Sequence, residues 1–536
     1  MLDIEKLIKR QRFLESMNAN WRNYHKDLAD FCLPRKAWQT TVRVTGERLN
    51  LTHLYDSTAI RSLKVMSSGF RSYLTNPSSK WFGLQTRNVE YMKIRSVQMW
   101  FKEVEDIIFS VLNSSNFDTT MQEFYVDSGC FGTGIVLTLE DVSDKVRFTP
   151  VPPNQVNMEE DAQGRVNRLY RNFKYTVQQA YGLWNKNAGS VVTEKIKEKP
   201  QDMVDFIHYV GPRDSFDATK SDNINMPYVS VWLEVSKKER IEESGFMEFP
   251  YAVGRFYKDA LDVMGFSPAM DVLADIKLIN AMQRTMLRAG MKVTDPPMLA
   301  PSKGFILPLN LNPAAMNYRD EKVGLKALEQ IPVSAGIPIT REIIQDMQLN
   351  IEKGFFVPLF KAISDVTKQM TIPEVQRRIA ENMVLLGPVI GRFTDEVLDP
   401  ILVRVFNILY RNQELPLAPD IIQGQEMDIV YISPLAKMQR ESEVFAIESF
   451  LTDVGMIAQA KPEALDKINE DAAVDIIGKI KGINPELIRD ENEVAQIRQQ
   501  RAQMQQAQAQ LALAQQGADI IKTGTEAQKI AQPEKK

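Results

Sequence analysis

The sequence has very little cysteine and no long apolar run, and both shortages exclude classes of protein. Only two of the 536 residues are cysteine, and Cys32 and Cys130 lie far apart without metal-type neighbours. We therefore expect two unpaired thiols rather than a disulfide. No run approaches the roughly 18 to 20 apolar residues that span a bilayer, so no membrane partner is predicted. The first residues lack the order of a secretory signal, which predicts a protein that acts where it is made.

Signatures of catalysis and of metal or cofactor binding are also missing. His25, His53 and His208 stand outside any H-x-x-x-H or H-E-x-x-H pattern, and no G-x-S-x-G pattern occurs. The glycine-rich stretch Gly129 to Gly134 follows a predicted helix and lacks the lysine of a phosphate-binding loop, so a structural turn is predicted. The sequence therefore predicts no enzyme, no cofactor and no metal site.

A large excess of charge of either sign is absent as well. The chain has 65 basic and 69 acidic residues, which gives a formal net charge of -4. Tight binding of nucleic acid through counterion release is therefore not expected, and any contact with DNA is predicted to be local or loose. The acidic pairs Glu159-Glu160 and Glu242-Glu243 stand among turn residues and are interpreted as solvated turns.

The first half of the chain combines helical and strand patterns. Apolar residues at spacings of three and four predict helices over Asp3 to Phe31, Tyr55 to Asn76, Glu90 to Leu112 and Phe117 to Asp127. Short apolar runs bounded by turn residues predict strands at Trp81 to Leu84, Ile135 to Leu139, Lys145 to Val151, Arg165 to Tyr170, Phe206 to Val210, Tyr228 to Val235 and Val253 to Phe256. Helices followed by a meander of strands indicate an α+β body.

The chain is organised around a helix, a proline-rich excursion and a second helix. The first helix is predicted from Pro268 through Met291, and the excursion from Asp295 to Gly336 has too many prolines and glycines for one helix. Strands or turns are expected in it. The second helix is predicted from Ile339 to Phe356, ending before Pro358, with four apolar residues facing inward: Ile344, Met347, Ile351 and Phe355.

A long bent helix is predicted to follow. Thr371 and Glu374 have the spacing of a capping box, and Pro373 fits the first turn of the helix. The helix should continue to Asn412 with bends at Gly387-Pro388 and Asp399-Pro400, because proline removes a backbone hydrogen bond.

Four cations recur along the first helix of this central region. Lys277, Arg284, Arg288 and Lys292 are seven or four residues apart, so they form a basic stripe. One interpretation is a solvated helix face or salt bridges to a neighbour. The other is a wall that faces a polyanion.

The C-terminal part is predicted to be mostly helical. A strand is predicted at Met427 to Ile432, with helices over Pro434 to Val454 and Ala464 to Ile480. The glutamine- and alanine-rich helix from Val494 to Gln516 has few large apolar residues, so it needs neighbours, which include copies of itself. The last residues are polar and are expected to fray.

Several short strings, in this order, resemble those of one protein family. They are Tyr55 to Ala59, Trp81-Phe82, Phe124 to Leu139, Tyr257-Lys258 ahead of Gly265 to Ala269, and Met370 to Val375 with Arg378 and Glu381. Together they resemble the portal, or head-to-tail connector, proteins of short-tailed double-stranded DNA phages, over about Phe13 to Pro434. Ile372-Pro373 departs from the family pattern, which usually has a small residue and a Thr or Glu there.

The resemblance implies an α+β portal fold with a mixed wing body, a helical stem, a small clip insertion and an α-helical crown. It assigns residues 1–267 to the wing, 268–292 to the first stem helix, 293–337 to the clip, 338–356 to the second stem helix, 357–370 to the tunnel loop, 371–433 to a kinked wing helix and strand, 434–520 to the crown and 521–536 to a flexible tail.

The same resemblance implies a function and its sites. It implies a dodecameric ring at one capsid vertex that passes double-stranded DNA non-specifically during packaging and ejection, with host cytoplasm as the place of assembly. The implied partners are the large terminase, a tail adaptor, and the capsid and scaffolding proteins. Candidate residues are the DNA-facing stripe Lys277, Arg284, Arg288 and Lys292, the tunnel-loop residues Lys361, Lys368, Gln369 and Met370, and the clip residues Lys303, Arg319 and Lys322.

Two other functions stay open from the residues alone. One is an internal virion or scaffold protein that assembles through the glutamine- and alanine-rich helix. The other is a nucleic-acid-processing enzyme of unrecognised type, although no metal or base cluster supports it.

Overall fold

The structure is a computed structural model. The chain forms two units: the first contains Met1–Trp81 and Asp106–Leu415, and the second contains Phe82–Glu105 and Pro416–Lys536. The structure describes residues 3–39, 51–217, 219–220, 222–294, 298–299, 329–330, 337–364, 386–425, 427–432, 447–458, 461, 468–481, 487, 489 and 493–508. Helices and antiparallel sheets are both present, so the predicted α+β class is confirmed.

Seven α-helices are described in the first half of the chain, where the sequence predicts four, because one predicted helix is split in two and two short helices were not predicted. They are α1 Ile4–Met17, α2 Ala19–Cys32, α3 Thr58–Leu74, α4 Arg95–Ser114, α5 Phe117–Phe131, α6 Val177–Trp184 and α7 Ser190–Lys195. The single helix predicted from Asp3 to Phe31 is wrong, because Asn18 interrupts it with φ -85° and ψ 3°. The Asn18 side chain donates to Asn157 Oδ1 at 3.1 Å instead of facing solvent from a helix.

The glycine-rich stretch was predicted as a structural turn with Gly129 as the helix cap, but Gly129 lies inside the helix and only Gly132 ends it. Helix α5 runs four residues past its predicted end, and Gly132 caps it with φ 78°. A Cβ atom on Gly132 would lie 2.0 Å from the carbonyl oxygen of Gly265, so the position needs glycine for both its backbone angle and its close contact.

Twelve strands are described, and all pair antiparallel. They are β1 Phe82–Thr86, β2 Thr133–Asp141, β3 Lys145–Pro150, β4 Val156–Glu160, β5 Val166–Thr176, β6 Met203–Pro212, β7 Tyr228–Glu234, β8 Glu239–Phe246, β9 Tyr251–Arg255, β10 Met298–Leu299, β11 Glu329–Gln330 and β12 Met427–Tyr431. The first unit contains a three-stranded sheet in the order β3-β2-β9 and a five-stranded sheet in the order β4-β5-β6-β7-β8.

Both acidic pairs lie in edge strands of the five-stranded sheet, so their interpretation as solvated turns is wrong. Glu159 and Glu160 end β4, and Glu242 and Glu243 lie within β8. Glu160 accepts a hydrogen bond from Lys258 Nζ at 2.8 Å, and Glu243 accepts one from Arg213 Nη1 at 3.1 Å. Edge strands tolerate such charged side chains because one side of the strand has no partner.

An aromatic core joins the N-terminal helices to the central region. The ring centroid of Phe70 in α3 lies 5.9 Å from the ring centroid of Tyr125, 5.7 Å from that of Phe256, 5.5 Å from that of Phe360 and 5.6 Å from that of Phe393. Such pairs contribute about 0.5–1.5 kcal/mol each beyond the area they bury. Residues from distant parts of the chain therefore share one core.

Both cysteines are buried free thiols, which confirms the prediction that they are unpaired. Burial raises the pKa of Cys32 to about 12 and raises that of Cys130 well above its ordinary value. Neither thiol is therefore activated as a nucleophile.

The second unit pairs β1 with β12, and Trp100 Nε1 donates to the carbonyl oxygen of Pro416 at 3.0 Å. Its described C-terminal helices are residues 447–458, α13 Glu470–Lys481 and residues 493–508. Two hydrogen bonds of 2.7 Å from Arg498 to Asp471 join the last two. The predicted glutamine- and alanine-rich helix is confirmed over residues 493–508, and its remainder lies outside the described residues.

Candidate functional site

The central pair of helices begins at Pro268. Ser267 Oγ accepts a hydrogen bond from Met270 N at 3.2 Å and caps the short helix α8, Pro268–Asp271. The predicted single helix is interrupted at Val272, and α9 then runs over Leu273–Thr294. The interruption lies where Val272 packs against Gly354, at which a Cβ atom would be only 2.4 Å from Val272 Cγ1.

The second helix of the pair, α10, covers Ile337–Gly354. Because Gly354 at its end packs against Val272 at the start of α9, the two helices run in opposite directions. The predicted inward residues Ile344, Ile351 and Phe355 are buried, whereas Met347 is only half-buried. Periodicity thus identified the packing face of this helix.

A polar network ties the base of the pair to the start of α3. Asn280 Oδ1 accepts hydrogen bonds from the backbone N–H groups of Tyr55 at 2.7 Å and Asp56 at 3.0 Å. Gln348 Nε2 donates to Asp56 Oδ2 at 2.8 Å, and Asp56 Oδ1 accepts from Thr58 N at 2.8 Å. The Tyr55 to Ala59 string therefore leads into α3 and is hydrogen-bonded to both α9 and α10.

Sequence reasoning did not identify Asn280 or Gln348. The available signal was that Asn280 follows Ile276 by four residues, which places a polar side chain on the apolar face of α9. Asn280 is 4% exposed, and its partners lie more than two hundred residues away in sequence.

The four cations of the basic stripe do not share one environment. Lys277 Nζ lies 2.6 Å from Asp27 Oδ2 and 5.8 Å from the ring centroid of Phe31, so it packs against α2 of its own chain. Arg284, Arg288 and Lys292 lie beyond Asn280, the last buried residue of α9, and all three are exposed. No ion pair joins these three to another described residue.

The exposed surface of the helix pair also has apolar side chains. On α9, Leu278 is 48% exposed and Leu287 51%. On α10, Leu349 is 53% exposed and Ile343 43%. Large apolar groups beside charges on a helix surface are typical of a contact face, since scattered single leucines are ordinary but a series along two helices is not.

The segment predicted as a loop after α10 begins as a helix instead. Phe356 has φ 57°, which ends α10, and helix α11 covers Val357–Ser364 with Pro358 in its first turn, where proline is tolerated. Phe360 is buried against Gly69 and Phe70. Lys361 is exposed, with Nζ 3.5 Å from Glu352 Oε2.

The other predicted loop and clip residues lie outside the described residues. They are Lys368, Gln369 and Met370, the capping box of Thr371 and Glu374, and Lys303, Arg319 and Lys322. The excursion itself has one described feature, in which β10 pairs with β11 so that Met298 lies opposite Gln330. Strands were expected in this excursion.

The bend predicted at Asp399-Pro400 is a π-helical turn. Helical residues 386–393, which include Gly387-Pro388, pass into a π-helix over Thr394–Leu398 and then into α12, Asp399–Arg411. Pro400 has no N–H for the carbonyl group of Glu396, four residues earlier. The wider turn accommodates that missing hydrogen bond.

The π-helical turn places the Glu396 side chain against the buried Arg255, which was not identified from the sequence. The Glu396 carboxylate accepts hydrogen bonds from Arg255 N at 3.0 Å, Nε at 3.1 Å and Nη2 at 2.6 Å. Arg255 also bonds Glu160 and, at 3.1 Å, the carbonyl oxygen of Gly164. One arginine thereby joins β9, the end of β4 and the turn that precedes α12.

The most catalysis-like arrangement in the described residues is closed to solvent. His208 Nδ1 lies 2.7 Å from the Tyr251 hydroxyl and Nε2 lies 2.9 Å from Ser230 Oγ. Burial lowers the pKa of His208 to about 3, and its ring stacks on Trp232 at 3.9 Å. All three polar residues are buried, so no substrate can reach them.

Other chemistry can be assessed only where the chain is described. There, no three His, Cys, Asp or Glu side chains group as a metal site would require. Among the described helices, none is both long and apolar enough to cross a membrane.

Comparison with known proteins gives consistent matches over nearly the whole chain. The family described as "Bacteriophage head to tail connecting protein" matches residues 5–488. A protein of Salmonella phage epsilon15 named "Portal protein" is 31% identical over 533 residues, which cover 98% of this chain and 96% of that protein. A "Probable portal protein" of Bordetella phage BPP-1 is 30% identical over 522 residues, which cover 96% and 94%.

Proposed function

Since this chain belongs to the family of bacteriophage head-to-tail connecting proteins, we propose that its copies form a ring around a channel for double-stranded DNA at one capsid vertex. The family is one of structural proteins of the virion, not of enzymes. The observation that carries the proposal is the α9–α10 pair, whose surface keeps exposed apolar and charged side chains beyond its buried base.

In the proposed ring of twelve copies, α8 to α10 are the stem and the excursion that contains β10 and β11 is the clip. The clip, with Lys303, Arg319 and Lys322, would dock the terminase motor during packaging and the tail adaptor afterwards. The segment after α11, with Lys368, Gln369 and Met370, would touch the passing DNA together with Lys361. The helices after β12 would form the crown.

Weak contact with DNA is the mechanism that the charges support. A channel must let the duplex slide in both directions, and each additional phosphate contact raises affinity and its salt dependence. With a net charge of -4 and few exposed cations on α9, the chain offers little affinity of that kind. The energy for packaging would come from a separate docked motor.

Imaging and sedimentation of the purified full chain test this proposal. We expect a single large species that appears as a ring with a central hole in negative stain. A stable monomer or dimer under assembly conditions would contradict it. Truncation after Asn492 separates the ring from a scaffold built on the glutamine- and alanine-rich helix, because only the ring should still form.

A further inference from the structure

The two helices of the stem pair expose opposite charges. Arg284 and Arg288 are exposed in the middle of α9, one helical turn apart, too far from either end to be explained by the helix dipole. On α10, Glu342 and Asp346 are exposed two residues either side of buried Ile344. Two residues correspond to about 200° of rotation, so both carboxylates face away from the packed side of α10.

Among the described residues, neither set of charges has an ion-pair partner. Although α9 and α10 pack together, no ion pair joins Arg284 or Arg288 to a described acidic residue, and none joins Glu342 or Asp346 to a described cation. Neighbouring charges behave differently, because Lys277 pairs with Asp27 at 2.6 Å and Lys361 lies 3.5 Å from Glu352. These four charges are therefore exposed and without a partner in the described part of the chain.

Two contacts fix the relative height of the helices. Val272 packs on Gly354, and Asn280 and Gln348 both bind the Asp56 region. Counting along antiparallel helices from either contact places Arg284 level with residues 342–344 and Leu278 level with residues 348–350. Each residue is about 1.5 Å of helix, so Arg284 and Glu342 differ in height by no more than about 3 Å.

One further charge of α10 agrees with this arrangement. Lys353, an exposed cation near the end of α10, is level with residues 273–275 and hence with Asp275 of α9. Arg341 is the exception, because it is an exposed cation beside Glu342. Leu278 and Leu349 supply an exposed apolar side chain on each helix at one height.

We propose that the α9 outer face, defined by Leu278, Arg284 and Arg288, docks onto the α10 outer face, defined by Glu342, Asp346 and Leu349, of a second copy of this chain. This inference rests on the proposed ring and names the surfaces that close it. The contact is heterologous because the two docking faces are different. Since the two faces lie at about the same height along the helix pair, repeating the contact by rotation gives a closed ring instead of a filament. The two arginines then serve assembly instead of gripping DNA.

Charge reversal in the full-length chain tests the docking. The basic-face variant carries Arg284→Glu with Arg288→Glu, and the acidic-face variant carries Glu342→Arg with Asp346→Arg. In each variant alone, like charges meet at every interface, so we expect ring formation to need at least about tenfold more protein. In an equimolar mixture opposite charges meet again, and rings of alternating copies should form at the wild-type concentration. The chain with all four changes should also assemble alone.

Controls separate the possible failures. Lys186→Glu with Lys197→Glu changes the charge equally at exposed positions of the five-stranded sheet region and should leave assembly unchanged. The docking would be overturned if either reversed variant alone formed rings at the wild-type concentration. It would also be overturned if the two variants, with thermal unfolding that matches wild type, formed no rings when mixed. A wild-type chain that forms no ring would instead overturn the proposed function.

Discussion

Arg255 and Arg404 in the body of the first unit contrast with Arg284 and Arg288 on the α9 outer face. Arg255 is 2% exposed and joined to Glu160 and Glu396. Arg404 is 5% exposed, and its guanidinium donates to the carbonyl oxygen of Thr138 at 2.8 Å and to Glu248. The outer-face arginines are exposed and have no described acidic partner.

The contrast separates two uses of one residue type. A buried guanidinium must be paired within its own chain, since an unpaired buried charge costs several kcal/mol. An exposed one has no such requirement and remains available to another molecule. Body arginines should therefore control stability, whereas outer-face arginines should control assembly with little effect on stability.

The largest expected effect is the loss of the Arg255 cluster. Arg255→Met leaves Glu160 and Glu396 part-buried without their main partner, so the free energy of unfolding should fall by about 3–5 kcal/mol. Urea unfolding measures it. Arg147→Met is the matched control, because Arg147 is largely exposed and lies 3.6 Å from Asp144, and it should change stability by less than about 1 kcal/mol. Equal losses in the free energy of unfolding for the two variants would contradict the proposed difference between buried and exposed arginines.

Acid should weaken the body through its buried histidines. Burial lowers the pKa of His25 to about 4 and that of His208 to about 3, while in the unfolded chain both titrate near 6.5. Below pH 6.5 the unfolded state binds protons that the folded state does not, so stability falls as pH drops toward about 4. At pH 5 each histidine should account for about 2 kcal/mol of the loss.

His208→Gln tests this assignment because a glutamine does not titrate in that range. Unfolding midpoints at pH 7 and pH 5 should differ clearly less in the variant than in wild type. An unchanged difference would mean that His208 is not a source of the acid sensitivity.

A smaller loss is expected at the base of the stem pair. Asn280→Ala removes the acceptor for Tyr55 N and Asp56 N, and each of these two part-buried hydrogen bonds contributes about 0.5–1.5 kcal/mol to the free energy of unfolding. Hydrogen exchange should show faster opening at the start of α3. If Asn280→Ala weakened ring assembly but left hydrogen exchange at the start of α3 unchanged, the network would serve assembly, as the outer faces do, instead of the stability of the body.

The smallest effect is expected at Lys277. Its pair with Asp27 is partly exposed, so Lys277→Ala should cost about 0.5 kcal/mol and leave ring formation unchanged. If Lys277→Ala weakened assembly as much as the basic-face variant does, Lys277 would have the same role as Arg284 and Arg288.

Local patterns in the sequence predicted much of the fold. The helical spacing of Ile344, Ile351 and Phe355, which are seven and then four residues apart, identified the buried side of the second helix, and Pro400 marked the position of the π-helical turn. The family was also recognised, because the order of several short strings along the chain is itself a sequence property. These features depend on residues that are near one another in the chain.

Features that depend on distant residues were missed. The edge strand β4 is only five residues long, and its acidic end made it look like a turn until Arg255 and Lys258 supplied partners about one hundred residues away. Spacing alone also grouped Lys277 with Arg284, since it cannot show that Asp27 lies beside only one of them.

Site-specific cross-linking tests the central claim most directly. The native cysteines are buried, so the variants Leu278→Cys and Leu349→Cys each present one accessible thiol. Under mild oxidation of full-length chains, we expect covalent dimers in an equimolar mixture of the two variants and almost none in either alone. No dimers in the mixture, or equal amounts from a single variant, would contradict the docking of the α9 outer face on the α10 outer face of a neighbouring copy.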